Sequence, residues 1–247
     1  MGAIRIDQGG TGTGLDRIDD VTPNVWEEAW GTNVGTGIDL VAGSSGGSTI
    51  EYTPNMMPDG VTVVAAYTPS AAGSNAGDKA SAGGGAASVA GSGYDITVTA
   101  TDAITGMSGL TLYAGLSETK QFTDTAAING DKSEETVAIK YAMGGFTVGY
   151  QWSEEDLGRA SDPKQYENEA YGITFSVNDD LSIGYNHYES KQVSATSTTA
   201  KATSMQIAYS VGGASIRLAD TNADNAAYQT SAAYDKDGRV LSVSLAF

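Results

Sequence analysis

TVAIKYAMGGFTVGYQW (residues 136–152) is the stretch whose reading decides the fold. Val137, Ile139, Tyr141 and Met143 alternate with Thr136, Ala138, Lys140 and Ala142. After a two-glycine connection, Phe146, Val148, Tyr150 and Trp152 alternate with Thr147, Gly149 and Gln151. A period of two puts one set on each face of a strand. The stretch is therefore two antiparallel strands with one large apolar face and one small or polar face. What remains open is which face meets water.

The same pattern runs outward in both directions. Toward the N-terminus it recurs around Ile4 and Ile6, Ile50 and Tyr52, Val61 to Tyr67, Tyr94 to Ala100, and Leu110 to Leu116. Toward the C-terminus it recurs in Tyr171 to Val177, Leu181 to Tyr185, Met205 to Val211, Ile216 to Leu218, and Leu241 to Phe247. That makes twelve strands. Short connections (56–60, 104–109, 144–145, 178–180, 212–213) alternate with long ones (69–92, 118–134, 153–168, 189–200, 220–238). Short turns at one end and long loops at the other mark a transmembrane β-barrel. A soluble sandwich also alternates, but it is not expected to keep this parity over a dozen strands.

Composition narrows the class. The 247 residues carry 30 Asp+Glu against 13 Lys+Arg, a net charge of −17. That excludes a nucleic-acid surface, which needs clustered Lys and Arg. Without cysteine there is neither a disulfide framework nor a thiolate metal site. No apolar run reaches the ~18 residues of a membrane helix, but barrel strands alternate and keep mean hydropathy low. MGAIRID, at the start, has no apolar signal-peptide region. Two features turn the apolar face toward lipid. Glycine and alanine crowd the polar face, as expected of a lumen wall with little packing. Tyrosines recur on the apolar face (Tyr52, Tyr67, Tyr94, Tyr150, Tyr171, Tyr185, Tyr209), as an interfacial girdle requires.

One segment stands apart. Residues 7–47 separate the first two strands and are too long for a simple connection. Thr22 followed by Pro23 reads as a helix start and Gly31 as a stop, so a short helix is expected over PNVWEEAW, 23–30. Trp26 and Trp30, four apart, would share a face and pack the helix on a wall, leaving Glu28 toward open space. Asp16, Asp19, Asp20 and Glu27 add acid nearby. A solvated surface loop would carry the same residues. No cofactor is expected. Calcium is the one ion these carboxylates would suit, and the single GTGIDLV (35–41) resembles one calcium-binding repeat where several are needed. GGTGTG (9–14) lacks the lysine and βαβ context of a phosphate loop. One histidine, His187, and no nucleophile motif argue against an enzyme.

With these residues in view, the chain resembles the general diffusion porins of Gram-negative bacteria, closest in style to the alphaproteobacterial group. The carrying features are Phe247 with Leu245, Val243 and Leu241, the strand pattern from residue 48 onward, and STIEYTPNMMPDGVTVVAAYTPS (48–70). The resemblance covers the whole chain as one barrel domain, 1–247. It implies an all-β antiparallel transmembrane barrel with an inward-folded constriction loop carrying a short helix. Porins of this group are sixteen-stranded trimers whose third loop follows strand five. The twelve strands then correspond to strands five to sixteen, with four strands and the signal peptide missing. The Pro-Glu-Phe-Gly-Gly stretch of enterobacterial third loops is absent. The resemblance further implies outer-membrane localisation, contact with lipid and lipopolysaccharide, a homotrimer, and recognition of the Leu241, Val243, Leu245, Phe247 strand by the outer-membrane assembly machinery.

Alternation places Arg5, Lys140 and Arg217 on the lumen wall with Glu51 and Asp95, a sum of +1. The loop from Asp16 to Glu28 holds Asp16, Asp19, Asp20, Glu27 and Glu28 against Arg17, a sum of −4. Taken singly, each wall charge reads as a lumen residue away from the throat. Together they imply a transverse field across a narrow pore and a preference for cations. The function expected is passive diffusion of ions and small hydrophilic solutes. The alternative is an acidic secreted β-rich surface protein, an adhesin or surface-layer module, which would stay in aqueous buffer where a porin needs detergent.

Overall fold

Alternation at period two becomes a single twelve-stranded sheet in which each strand pairs antiparallel with its neighbours in sequence. The computed structural model describes residues 2–8, 12–32, 34–44, 48–69, 71, 90–121 and 128–246. In order the strands are β1 (Ala3–Asp7), β2 (Thr49–Thr53), β3 (Val61–Thr68), β4 (Ala90–Ala100), β5 (Leu110–Gln121) and β6 (Lys132–Met143). They continue as β7 (Phe146–Asp156), β8 (Gln165–Ser176), β9 (Leu181–Val193), β10 (Thr198–Val211), β11 (Ala214–Asp224) and β12 (Lys236–Leu245). A single helical turn, α1 (Asp102–Thr105), sits in the connection from β4 to β5. Among the described residues β1 and β12 do not pair with each other.

The faces are distributed opposite to those of a water-soluble domain. Ile173 is 41% exposed and Ile207 44% exposed, while Gln151 and Gln206 opposite them in the alternation are 0% and 2% exposed. The largest fully buried side chains include Gln151, Gln206, Asn168 and Asn186. Burying amides while exposing isoleucine is costly in water. The arrangement is stable where the outer solvent is hydrocarbon and the inner face has polar partners. The outward aromatic residues are neighbours across strands. Tyr67 pairs with Tyr94 and Tyr150 with Tyr171 in register. Near the short turns Phe146 stacks on Phe175 at 4.2 Å. Leu241, Val243 and Leu245 of β12 are exposed on the same outer face. Phe247 lies outside the described residues.

The long connections are shorter than the sequence suggests. β9 runs to Val193 and β10 starts at Thr198, so only four residues join them. Likewise β6 begins at Lys132 and β7 ends at Asp156, inside segments read as loops. In these extensions the outward residues are charged, as in the cross-strand series Glu135, Glu154, Glu167. A strand wet on both faces has no apolar alternation to betray it, although its ladder continues. The connection at 69–92 falls largely outside the described residues.

Candidate functional site

The segment between β1 and β2 lies along the inner face of the sheet. It takes no α-helix over 23–30. Instead its described residues hold two short 3-10 turns, Gly14–Ile18 and Ala29–Thr32, joined by irregular chain. Eight residues are few for an isolated helix. Here the amides of Val25, Trp26 and Glu27 are drawn to an acceptor outside the segment: all three donate to Gln206 Oε1 on β10, at 3.3, 2.9 and 3.3 Å.

That contact is one of a series in which inward side chains of the strands bind the backbone of the loop. Gly14 N donates to Glu51 Oε1 (2.8 Å) and Leu15 N to Asp95 Oδ2 (3.0 Å). Ala42 N and Gly43 N both donate to Glu134 Oε2 at 2.8 Å, and Ser44 N to Asp95 Oδ1 at 3.0 Å. Gln151 Nε2 donates to Ile18 O (2.9 Å), Ser153 Oγ to Leu40 O (2.5 Å), and Asn186 Nδ2 to Glu27 O (3.3 Å). At the far side Lys236 Nζ donates to Gly35 O at 2.7 Å. Asp95 therefore binds both arms of the loop at once. Hydrogen bonds to ionised acceptors are the strong kind, and a loop lying flat leaves its amides free to make them.

Small residues open the track. A Cβ on Gly115 would come 2.4 Å from Leu15, on Gly149 2.4 Å from Pro23, on Gly172 2.2 Å from Pro23 O, and on Gly184 2.6 Å from Val25. The glycines of the inner face are thus places of close packing, not of a bare wall. The alanines act alike. Ala170, Ala200, Ala202 and Ala223 form with Ala29, Val34, Ile38, Leu40 and Tyr188 an apolar cluster that seats the loop. Leu15, Ile18, Val21 and Val41 pack with Ala138 and Tyr113 in a second. Each fully buried Leu or Ile contributes about 1.5–3 kcal/mol to this docking.

The tryptophans do not share a helical face. Trp30 packs edge-on against Tyr188, ring centroids 4.5 Å apart, within the first cluster. Trp26 is half-buried, and its backbone amide is held by Gln206. The acidic residues also separate. Glu28, expected toward open space, is 6% exposed and accepts a hydrogen bond from Asn24 Nδ2 at 2.7 Å. Glu27 and Asp20 are the exposed ones, and Asp16 and Asp19 are half-buried. Burial, with the hydrogen bond that the protonated Glu28 donates to Glu27 next in weight, pushes the Glu28 carboxyl up to about 8. Burial together with Asp20 and Asp39 pushes Asp19 up to about 8, against the Val41 amide that favours its charge.

The wall charges divide as well. Glu51 and Asp95 are buried under the loop as acceptors of its amides and do not face an open lumen. Arg17 of the loop closes on Glu51. Arg5 is exposed and reaches Asp7 at 2.6 Å and Glu51 at 3.5 Å. Lys140 is half-buried, its Nζ 5.7 Å from the centre of the Tyr113 ring. Arg217 is exposed. Among the described residues no group of three or more His, Cys, Asp or Glu has the geometry to hold a metal ion. Sequence reasoning passed over Gln151, Asn168, Gln206 and Glu134 as docking residues. The available signal was their size: large amides and a carboxylate stand at inward positions where most neighbours are Gly, Ala, Ser or Thr.

Comparison with known proteins agrees with this architecture. The family model described as Gram-negative porin matches residues 7–243. Among solved structures, OmpF of Salmonella typhi in complex with daunomycin superposes with a TM-score of 0.67 at 13% identity, covering 98% of this chain and 74% of that one. A porin refined at 1.8 Å resolution gives 0.60 at 13% identity, covering 99% and 77%. The outer-membrane protein OmpT of Vibrio cholerae gives 0.58 at 14% identity, covering 90% of this chain. The chain spans 66% of that protein's length. No curated protein sequence matches. A family match over nearly the whole length, on a sheet whose apolar face is outward and whose polar face holds an internal loop, has one reading: the chain belongs to the Gram-negative porin family, β-barrel proteins of the outer membrane.

Proposed function

We propose that this chain forms the wall and constriction loop of a water-filled channel for passive diffusion of ions and small hydrophilic solutes, with a preference for cations. The observation that carries the reading is the loop between β1 and β2. It lies on the inner face of the sheet and keeps Asp20 and Glu27 exposed there, while Glu51 and Asp95 are covered. Charges in a narrow, low-dielectric throat focus the field and set ion preference. The loop's exposed carboxylates are negative, and the inner-face cations Arg5, Lys140 and Arg217 are spread over β1, β6 and β11. Nothing favours the secreted-surface-protein alternative, because the exposed face is apolar.

The full-length protein assembles in this reading as a homotrimer, surrounded by lipid and lipopolysaccharide, after recognition of its last strand by the assembly machinery. The test is reconstitution of the detergent-extracted protein into planar bilayers. Stepwise conductance with a reversal potential of cation-selective sign in a salt gradient is the expected result. Anion preference would overturn the constriction reading, and absence of conductance would overturn the channel itself.

A further inference from the structure

Gln206 is saturated. Its Oε1 accepts from three consecutive loop amides, Val25, Trp26 and Glu27. Its Nε2 donates to Glu27 O and, at 3.1 Å, to Ser204 Oγ. From there the contacts continue. The hydroxyls of Ser204 and Thr221 are 2.9 Å apart, those of Thr221 and Thr32 are 2.5 Å apart, and Thr32 Oγ1 donates to Ala29 O at 2.8 Å. Gln206, Ser204, Thr221 and Thr32 are all buried. One chain of four side chains on β10, β11 and the loop thus fixes residues 25–27 on one side and 29–32 on the other. A fully satisfied buried network of this kind holds one geometry, because breaking any member leaves a polar group unpaired.

Glu27 is the residue on which this converges. Its amide and its carbonyl oxygen are both held by the Gln206 side chain, and Asn186 Nδ2 donates to the same carbonyl at 3.3 Å. Its own carboxylate is exposed. We infer that Gln206 is a positioning residue for ion selectivity: a latch, completed by Ser204, Thr221 and Thr32, that fixes the Glu27 carboxylate in the channel. The inference rests on the channel function proposed above. It separates the loop's attachments into two kinds. The carboxylates Glu51, Asp95 and Glu134 hold the arms. The Gln206 amide holds the tip.

The test is selectivity in a double-mutant cycle on the full-length protein in planar bilayers. Glu27→Gln should lower the cation-to-anion permeability ratio about twofold, the effect of one charge roughly 8 Å from a passing ion at moderate salt. Gln206→Met conserves volume but offers the three amides nothing. In that background the Glu27→Gln change should shrink to near nothing, and open-channel noise should rise as the tip moves. Equal Glu27→Gln effects in the parent and Gln206→Met channels would overturn the latch while leaving the channel reading intact. A parent that does not conduct would overturn the channel reading and this inference with it. Amide hydrogen exchange in the folded parent decides the matter even if Gln206→Met does not assemble. Slow exchange at residues 25–27 is expected, and exchange as fast as that of an exposed loop would refute the latch.

Discussion

Raising the pH from 6 to 9.5 should strengthen cation preference, with a midpoint near 8. The formal charge of −4 over residues 16–28 counts Asp19 and Glu28 as ionised. Burial pushes both carboxyls up to about 8, so at pH 6 each holds its proton and the loop carries two fewer charges. At ~8 Å in a water-filled throat, one unit charge acts on an ion with about 0.5 kcal/mol, and screening at 0.1 M salt removes about half of that. The remainder raises cation occupancy about 1.5-fold and lowers that of anions equally. Two new charges then raise the permeability ratio about fivefold. Reversal potentials across a fixed salt gradient, read at half-unit pH intervals, measure it. Glu28→Gln and Asp19→Asn should each remove about half of the rise. Docking changes in the opposite sense. These carboxyls hold protons in the docked state well above the pH at which they would lose them when solvated. Their contribution to docking is therefore complete in the acid range and declines as pH climbs toward 8. A cation preference that stays flat from pH 6 to 9.5 would refute the assignment of Asp19 and Glu28 as buried neutral groups.

Three further outcomes follow from the same geometry. Arg in place of Ile173 should cost about 2–4 kcal/mol of folding into bilayers, and Thr174→Arg much less; a worse outcome for Thr174 would invert the faces. Gly172→Val sets side-chain atoms against Pro23 O, so it should displace the loop and raise single-channel conductance while the heat-modifiable oligomer still forms; an unchanged conductance would show that the loop does not set the width. Phe247→Ala should lower the amount of that oligomer in outer-membrane fractions, and equal amounts in mutant and parent would remove the assembly signal.

The strands were legible because lipid imposes a simple rule on every second residue. Val137 and Ile139, Ile173 and Phe175, Ile207 and Tyr209 all announce the outer face without reference to any partner. Where the rule stops, the reading stops too. Glu135, Glu154 and Glu167 lie in strands that continue above the apolar band, and nothing in their polarity distinguishes a wet strand from a loop. The loop failed for a different reason. Thr22-Pro23 and Gly31 are sound helix signals by local criteria, and a tryptophan pair four apart fits them. Those criteria count only the hydrogen bonds a segment can make with itself. Here Gln206, 179 residues away, binds both the amide and the carbonyl oxygen of Glu27, which a helix over 23–30 would pair along its own axis. The 3-10 turns stand at the flanks, Gly14–Ile18 with its Gly14 and Leu15 amides on Glu51 and Asp95, and Ala29–Thr32 beyond the Gln206 contact.

The inner face shows how far local reading can go once topology is known. Glu51 and Asp95 were legible as inward residues, and their position in the alternation is as expected. Charge alone suggested a free wall carboxylate. Three of the inward carboxylates instead accept five loop amides between them, Gly14, Leu15, Ala42, Gly43 and Ser44. An acidic wall beneath an acidic loop would repel it if side chains faced side chains. Here wall carboxylates meet backbone N–H groups, and Arg17 closes on Glu51. The loop can therefore be acidic on its exposed side because the contacts that hold it use its backbone. That division leaves the sequence of the exposed tip free to vary in charge without loosening the arms. It also explains why the attachment of the tip falls to an uncharged amide: a carboxylate at position 206 would set an oxygen against the Glu27 carbonyl, whereas glutamine accepts the Val25, Trp26 and Glu27 amides, donates to Glu27 O and adds no charge.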